Sequence, residues 1–375
     1  MNVRNALRAA SPPIPTPHAG RGALSNADGR YERFSHVRED DSWGWLGRDG
    51  ATEEAEPKLR TTVLYDASRS IIARNQSPDL SFDRSVNPYR GCEHGCVYCF
   101  ARPTHAWLGF SPGLDFETRI LVKPRAAELL EAELSAPGYA PRTLALGTNT
   151  DPYQPLERRH RITRQVLEVL ARANHPVAIV TKSHLVTRDL DILAPMAAKG
   201  LAKVAVSITT LDPALARTME PRASSPAKRL DAIRALARAG IPAAVMTEPL
   251  IPALDDSEME AILAAAAGAG AKAAGYVVLR LPLEIKDLFR EWLETHVPDK
   301  AAHVMSLVRG MRGGRDYDPN WGVRQTGTGP FARLIGQRFR VAARRLGLNA
   351  QSFPLDATQF LKPSRAARAG QLSLL

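Results

Sequence analysis

Residues 162–183 read ITRQVLEVLARANHPVAIVTKS. The first half repeats apolar residues at helical spacing, placing Ile162, Val166, Val169 and Leu170 on one face. From Pro176 onward it becomes a short β-branched run that turns polar at Lys182 and Ser183. A one-sided helix delivering the chain into a nearly continuous apolar strand is the unit of a parallel sheet covered by an outer layer of helices. Working outward, runs of the same kind occur at SVNPY (85–89), TLALGT (143–148), AKVAVSITT (202–210), IPAAVMTEP (241–249) and AGYVVLRL (274–281). Helical patterns separate most of them, as in RLDAIRALARAG, where Leu230, Ile233 and Ala237 align and Gly240 is the stop signal. About six such units predict an α/β chain built as a partial (β/α)6 TIM-like barrel. The alternative is a doubly wound open sheet.

Each run stays apolar until its C-terminal edge. There the polar residues gather: Thr148, Asn149, Thr150 and Asp151 after the second run, Lys182 and Ser183 on the third, Ser207 and Thr209 on the fourth, Glu248 on the fifth and Arg280 on the sixth. In parallel α/β folds the binding site lies at that edge. One polar residue at a strand end is usually a loop cap, but five strands sharing the bias point to a site.

The flanks differ from this centre. Residues 1–60 hold nine Lys/Arg and nine Asp/Glu around SPPIPTPHAGRG, with little apolar periodicity. Such composition buries too little apolar surface to offset ordering entropy, so this segment is expected to be largely disordered, with Trp43 and Trp45 available to dock on the folded part. The barrel is expected over 61–300, a basic α-rich extension over 301–365 and a flexible tail over 366–375. Most of the net charge of +11 sits near the end, since residues 301–375 hold twelve Lys/Arg against three Asp/Glu. That asymmetry argues for a polyanionic partner, nucleic acid before membrane, or else for a solubilising tail. No segment offers the roughly 20 uninterrupted apolar residues of a membrane span, and no apolar signal core opens the chain, so the expected location is the cytoplasm.

The chain has three cysteines, all within GCEHGCVYC (91–99): Cys92, Cys96 and Cys99. Three thiols so closely spaced make no disulfide framework, and in a reducing compartment they read as a metal or redox site. Thiolates suit iron–sulfur clusters and zinc alike. Zinc would need His94 or His105 as a further ligand, and structural zinc sites normally come as two separated ligand pairs.

The Cys-x3-Cys-x2-Cys spacing, with Tyr98 directly before the last cysteine, resembles the radical S-adenosylmethionine (SAM) superfamily. Further blocks narrow the resemblance to the group related to spore photoproduct lyase, the DNA repair photolyase-like enzymes. They are NPYRGCEHGCVYCFARPTH, TDPYQPLE (150–157), TKS (181–183), VSITTLD (206–212) and EPRASSPAKRLDAIRALARAGIP (220–242), and the likeness covers about residues 60 to 300. It implies a [4Fe–4S] cluster on Cys92, Cys96 and Cys99, with SAM chelating the fourth iron and cleaved by one electron to methionine and a 5′-deoxyadenosyl radical. It also implies that Thr150, Lys182 and Ser207 hold the methionine moiety; Asn149, Asp151, Thr209 and Glu248, polar at the same strand ends, are expected as further cofactor contacts. Tyr98 is the implied catalytic residue, and an electron donor such as flavodoxin or ferredoxin is required. Two departures matter: Thr148 stands where the lyase has a hydrogen-donating cysteine, and Phe100 replaces one relay tyrosine. The resemblance therefore implies a relative of the lyase with another substrate.

From residue 309 arginine, glycine and aromatic residues mix before a helical pattern in which Phe331, Leu334, Ile335, Phe339 and Ala342 are expected to face the core. Arg333, Arg338, Arg340, Arg344 and Arg345 surround them, a face suited to phosphate. The final QLSLL (Gln371–Leu375) resembles the peptide by which bacterial repair and replication proteins dock into the DNA sliding clamp. The reading is thus a radical SAM enzyme acting on nucleic acid. Radical modification of a peptide or small metabolite is one alternative, and a non-catalytic, clamp-tethered, nucleic-acid-binding iron–sulfur protein is another.

Overall fold

The computed structural model describes residues 17–32 and 59–363. Trp43, Trp45 and the peptide Gln371–Leu375 lie outside them. All six apolar runs become strands, namely β3 (Arg84–Val86), β6 (Leu144–Leu146), β7 (Val177–Thr181), β8 (Ala202–Ser207), β9 (Ala243–Leu250) and β10 (Ala273–Val278). They pair in parallel in chain order, and β2 (Ile72–Arg74) adds an antiparallel edge strand on β3. Because the strand order never reverses, there is no switch point and the sheet is not doubly wound. It is the arc of a partial barrel. A small second sheet, in the order β1 (Thr62–Tyr65), β5 (Arg119–Val122), β4 (Tyr89–Arg90), lies beside the cysteine loop.

The helix Ile162–Arg172 buries Ile162, Val166, Val169 and Leu170 as its periodicity requires. The helix Pro226–Arg238 is turned slightly from expectation. Its buried face is Arg229, Ala232, Ile233 and Leu236, with Leu230 and Ala237 at the margin. The rotation has a polar cause, because Arg229 reaches inward to a buried carboxylate, Glu220.

Two corrections concern the flanks. Disorder does not extend to residues 17–32, where Arg21, Gly22, Ala23 and Leu24 are buried. In the helix Gly329–Arg345 the seam is Ala332, Ile335, Gly336, Phe339, Ala342 and Ala343, which leaves Leu334 48% exposed. At about 100° per residue, a seam through 332, 335, 339 and 343 points 334 outward. Arg338 is also not a free surface cation, since it pairs with Glu260 at 2.7 Å and Asp256 at 3.2 Å.

The stretch between the last two helices spans the gap between the two ends of the arc. Val278 N, at the end of β10, donates to the Gln325 carbonyl at 2.8 Å, while Gly322 N and Arg324 Nε each reach Asp79, in the β2–β3 turn, at 2.6 Å. Among the described residues no helix is long and apolar enough to cross a membrane.

Candidate active site at the cysteine loop

The loop after β4 carries the three thiols and is fixed by groups other than the thiols. Gly91 (φ 79°) and Gly95 (φ 69°) turn it twice. A Cβ on Gly91 would sit 2.8 Å from both His105 Cε1 and the Phe116 carbonyl, so a side chain fits there neither by angle nor by space. Cys92 N donates to Phe116 O at 2.9 Å, Val97 N to Met219 O at 3.1 Å and Glu93 N to the Gln154 side chain at 2.9 Å.

Beneath the loop lies Arg102, wholly buried. It donates to the carbonyls of Cys96 (2.9 Å), Gly95 (3.2 Å), Pro112 (3.1 Å) and Gly113 (2.9 Å), and pairs with the equally buried Glu117. Glu117 in turn accepts from the backbone N–H groups of Gly22 (2.9 Å) and Ala23 (2.8 Å). The short N-terminal arm and the cysteine loop thus share one buried ion pair.

The three thiols are free, Cys92 and Cys96 buried and Cys99 partly open. Burial pushes all three thiols up, those of Cys92 and Cys96 well above the ordinary cysteine value. A thiolate is stable in such surroundings only beside a strong positive charge, which a bound metal centre supplies. Each of the two histidines open to zinc has one ring nitrogen engaged. His94 Nδ1 lies 3.4 Å from Asp151, and His105 Nε2 is 2.9 Å from the Arg119 carbonyl, with burial lowering the His105 imidazole to about 4. His105 Nδ1 is buried without a partner, and the three sulfurs by themselves fit a cluster that keeps one iron open.

Facing the thiols are the C-terminal edges of β7, β8 and β9. Lys182 Nζ donates to Ser207 Oγ and to the Glu248 carbonyl (3.0 Å), and lies 3.9 Å from Glu220. Burial lowers the Lys182 ammonium, against the opposing pull of Cys96 and Glu248. Glu248 itself is raised by burial, with Lys182 and Arg280 pulling the other way.

Below them Glu220 gathers the Tyr98 hydroxyl, Arg229 and Thr209 Oγ1 (2.7 Å), and Thr209 also lies 3.2 Å from the Glu248 carbonyl. Tyr98 is therefore turned into a buried polar network. Thr150 and Asp151 also look inward. Thr150 donates to the Tyr89 carbonyl at 3.2 Å, and Asp151 accepts from Thr181 Oγ1, Lys182 N and Tyr153 N. Although burial opposes it, His94 and these donors hold the Asp151 carboxyl below the usual range. Asn149 is half-buried, and its backbone N–H donates to the Asn87 side-chain oxygen at 3.1 Å.

A model of the radical SAM superfamily matches residues 86–266, the span holding the thiols, Lys182, Ser207, Glu220 and Glu248. An uncharacterized protein of Mycobacterium tuberculosis is 40% identical over 242 residues, which is 63% of this chain and 71% of the relative. This chain belongs to the radical SAM superfamily. A second relative, an uncharacterized protein of Methanocaldococcus jannaschii, is 28% identical over 173 residues, 46% of this chain and 62% of its own.

Among solved structures, spore photoproduct lyase superimposes with a TM-score of 0.55 at 16% identity, covering 76% of this chain and 80% of that one. The lyase complexed with dinucleoside spore photoproduct gives 0.54 at 16%, covering 79% and 85%. The radical SAM enzyme described here thus shares the lyase fold. Its cofactors are those of the superfamily, a [4Fe–4S] cluster and SAM, and it requires an electron donor.

The sequence reading missed Glu220, Arg229, Arg102 and Glu117. In the apolar pattern a signal existed for Arg229 alone, an arginine at an apolar position of the 229, 232, 233, 236 face, while Glu220 and Arg102 lie within the family-like blocks.

Proposed function

We propose that this radical SAM enzyme acts on nucleic acid, removing a hydrogen atom from a base or sugar carbon in a repair or modification reaction. The observation that carries the reading is the row Arg333, Arg340, Arg344 and Arg345, all exposed on the C-terminal helix with no ion-pair partner among the described residues. Unpaired guanidinium groups on one helix are an electrostatic footprint for phosphates. The lyase of similar fold, solved with a dinucleoside photoproduct, supports the same substrate class. Thr148 in place of a donor cysteine keeps the proposed reaction distinct from that of the lyase.

When bound on Cys92, Cys96 and Cys99, the cluster supplies one electron and an open iron for SAM. Lys182 and Ser207 would hold the cofactor carboxylate, with Asn149 and Glu248 at the rim. Thr150, Asp151 and Thr209 would shape the pocket from behind, and Tyr98, tied to Glu220, would keep the network beneath Lys182 in place. Flavodoxin or ferredoxin is the electron donor we propose, and Gln371–Leu375 the contact with a sliding clamp. Lys182→Ala should raise the SAM dissociation constant by about 10- to 100-fold, the worth of one charge-assisted contact. Equilibrium dialysis giving the wild-type affinity would remove Lys182 from this role.

The test of the substrate class is anaerobic turnover of the reconstituted, reduced enzyme with and without single- and double-stranded DNA and RNA. One nucleic acid should raise 5′-deoxyadenosine formation, exchange deuterium with the labelled cofactor, and be retained less as salt rises. If none is retained or stimulates, the substrate is a peptide or small metabolite. If reduction yields no 5′-deoxyadenosine with any additive, the enzyme reading itself falls.

A further inference from the structure

Two arginines at the mouth of the site have no ion-pair partner among the described residues. Arg280 lies just beyond β10 and reaches across to the cysteine loop, its guanidinium carbon 4.9 Å from the centre of the Phe100 ring. Phe100 directly follows Cys99 and is 45% exposed. The one hydrogen bond of Arg280 is a long one to the Tyr317 hydroxyl, 3.4 Å, and its Nε is buried with no partner.

Arg312 lies close by and is buried. Its terminal nitrogens go to the carbonyls of Val323 (2.9 Å), Leu279 (2.9 Å) and Val278 (3.4 Å), while its Nε is also without a partner. Burial, then the neighbouring Arg280, push the Arg312 guanidinium below its ordinary value. No carboxylate stands within ion-pair distance of either arginine among the described residues. Of the carboxylates that feel the two arginines, Glu248 also faces Lys182, Asp79 is held by Arg324, and Asp318 acts on Arg312 from beyond ion-pair distance.

A protein seldom leaves two adjacent guanidinium groups uncompensated unless an anion completes them. An arginine held over an exposed aromatic ring, with little else bound to its fork, can bind phosphate, and the same ring offers a surface for a base. We propose that Arg280, backed by Arg312, binds a phosphodiester of the substrate and, with Phe100, sets one nucleotide beside the open edge of the cysteine loop. The inference rests on the nucleic-acid reading and deepens it. The outer arginines of the C-terminal helix would retain the polymer, whereas Arg280 would choose which nucleotide meets the radical.

The test uses the full-length, cluster-loaded protein with SAM and two labelled probes, a thymidine dinucleotide joined by a phosphodiester and the same dinucleotide joined by an uncharged methylphosphonate. By fluorescence anisotropy the wild type should bind the phosphodiester about tenfold more tightly, the factor of one charge-assisted hydrogen bond. Arg280→Gln should lower the affinity for it to that for the methylphosphonate, with iron content and SAM dissociation constant as in the wild type. If Arg280→Gln loses iron, Arg280→Lys takes its place in the comparison. There the preference should fall by about threefold or more, because an ammonium lacks the planar fork. A variant that keeps the full preference overturns the assignment. So does a parallel loss of SAM affinity, which would make the cofactor carboxylate the anion. A wild type that binds neither probe nor any longer nucleic acid sinks the nucleic-acid reading, an outcome distinct from a failure of Arg280 alone.

Discussion

Replacing any one of Cys92, Cys96 or Cys99 by alanine should reduce 5′-deoxyadenosine formation to the level of cluster-free protein. With three sulfurs and no fourth cysteine in the chain, no thiolate is held in reserve. Removing one leaves two irons open where the chemistry requires one, and exposes the cluster to loss. The fold should not share the damage. The loop is held by Cys92 N on Phe116 O, Val97 N on Met219 O and the Arg102 guanidinium on four carbonyls, none of which involves sulfur. Metal-free wild type and variants should therefore melt within a few degrees of one another, while iron and acid-labile sulfide after anaerobic reconstitution drop sharply in the variants. A variant that keeps full iron content and full turnover would remove that cysteine from the ligand set. One that fails to fold without metal would show the thiols to be structural.

How much of this site could be read from the sequence depends on the distance over which each signal acts. The six strands were legible because burial by a parallel sheet is written as local apolar runs, and the site's edge because polarity returns at each strand's end. Lys182 and Ser207, taken from likeness to a family, lie side by side in the structure. Other parts leave no local trace. Glu220 becomes a hub only because Arg229, Tyr98 and Thr209 come to it from three directions. Thr150 and Asp151, expected as ligand contacts, also bond to the frame, since a polar group at a strand end serves a loop and a ligand equally well by pattern. Residues 17–32 misled by composition. They are ordered through backbone N–H groups meeting a carboxylate 95 residues away in the chain at Gly22, a contact that side-chain hydropathy does not register.

That carboxylate gives the second large effect. Glu117→Ala should destabilise the protein by about 3–5 kcal/mol, because Arg102 would stay buried with its charge unopposed. Both partners are wholly buried, so water cannot substitute for the lost oxygen atoms without opening the loop. The N–H groups of Gly22 and Ala23 lose their acceptor in the same substitution. Two consequences should therefore appear together, a lower denaturation midpoint and faster loss of iron from the reconstituted protein.

Gly22→Ala separates them. A Cβ at Gly22 would lie 1.8 Å from the Gly95 carbonyl oxygen, a contact that only displacement of the arm can relieve. That variant should free residues 17–32 to limited proteolysis and hasten iron loss while leaving the Arg102–Glu117 pair intact, so its midpoint should fall less than that of Glu117→Ala. If Glu117→Ala unfolds at the wild-type midpoint and holds iron as long as the wild type, the buried pair is not what supports the cysteine loop. If Gly22→Ala matches Glu117→Ala in both measurements, the arm itself, rather than the ion pair beneath it, is the element on which the loop depends.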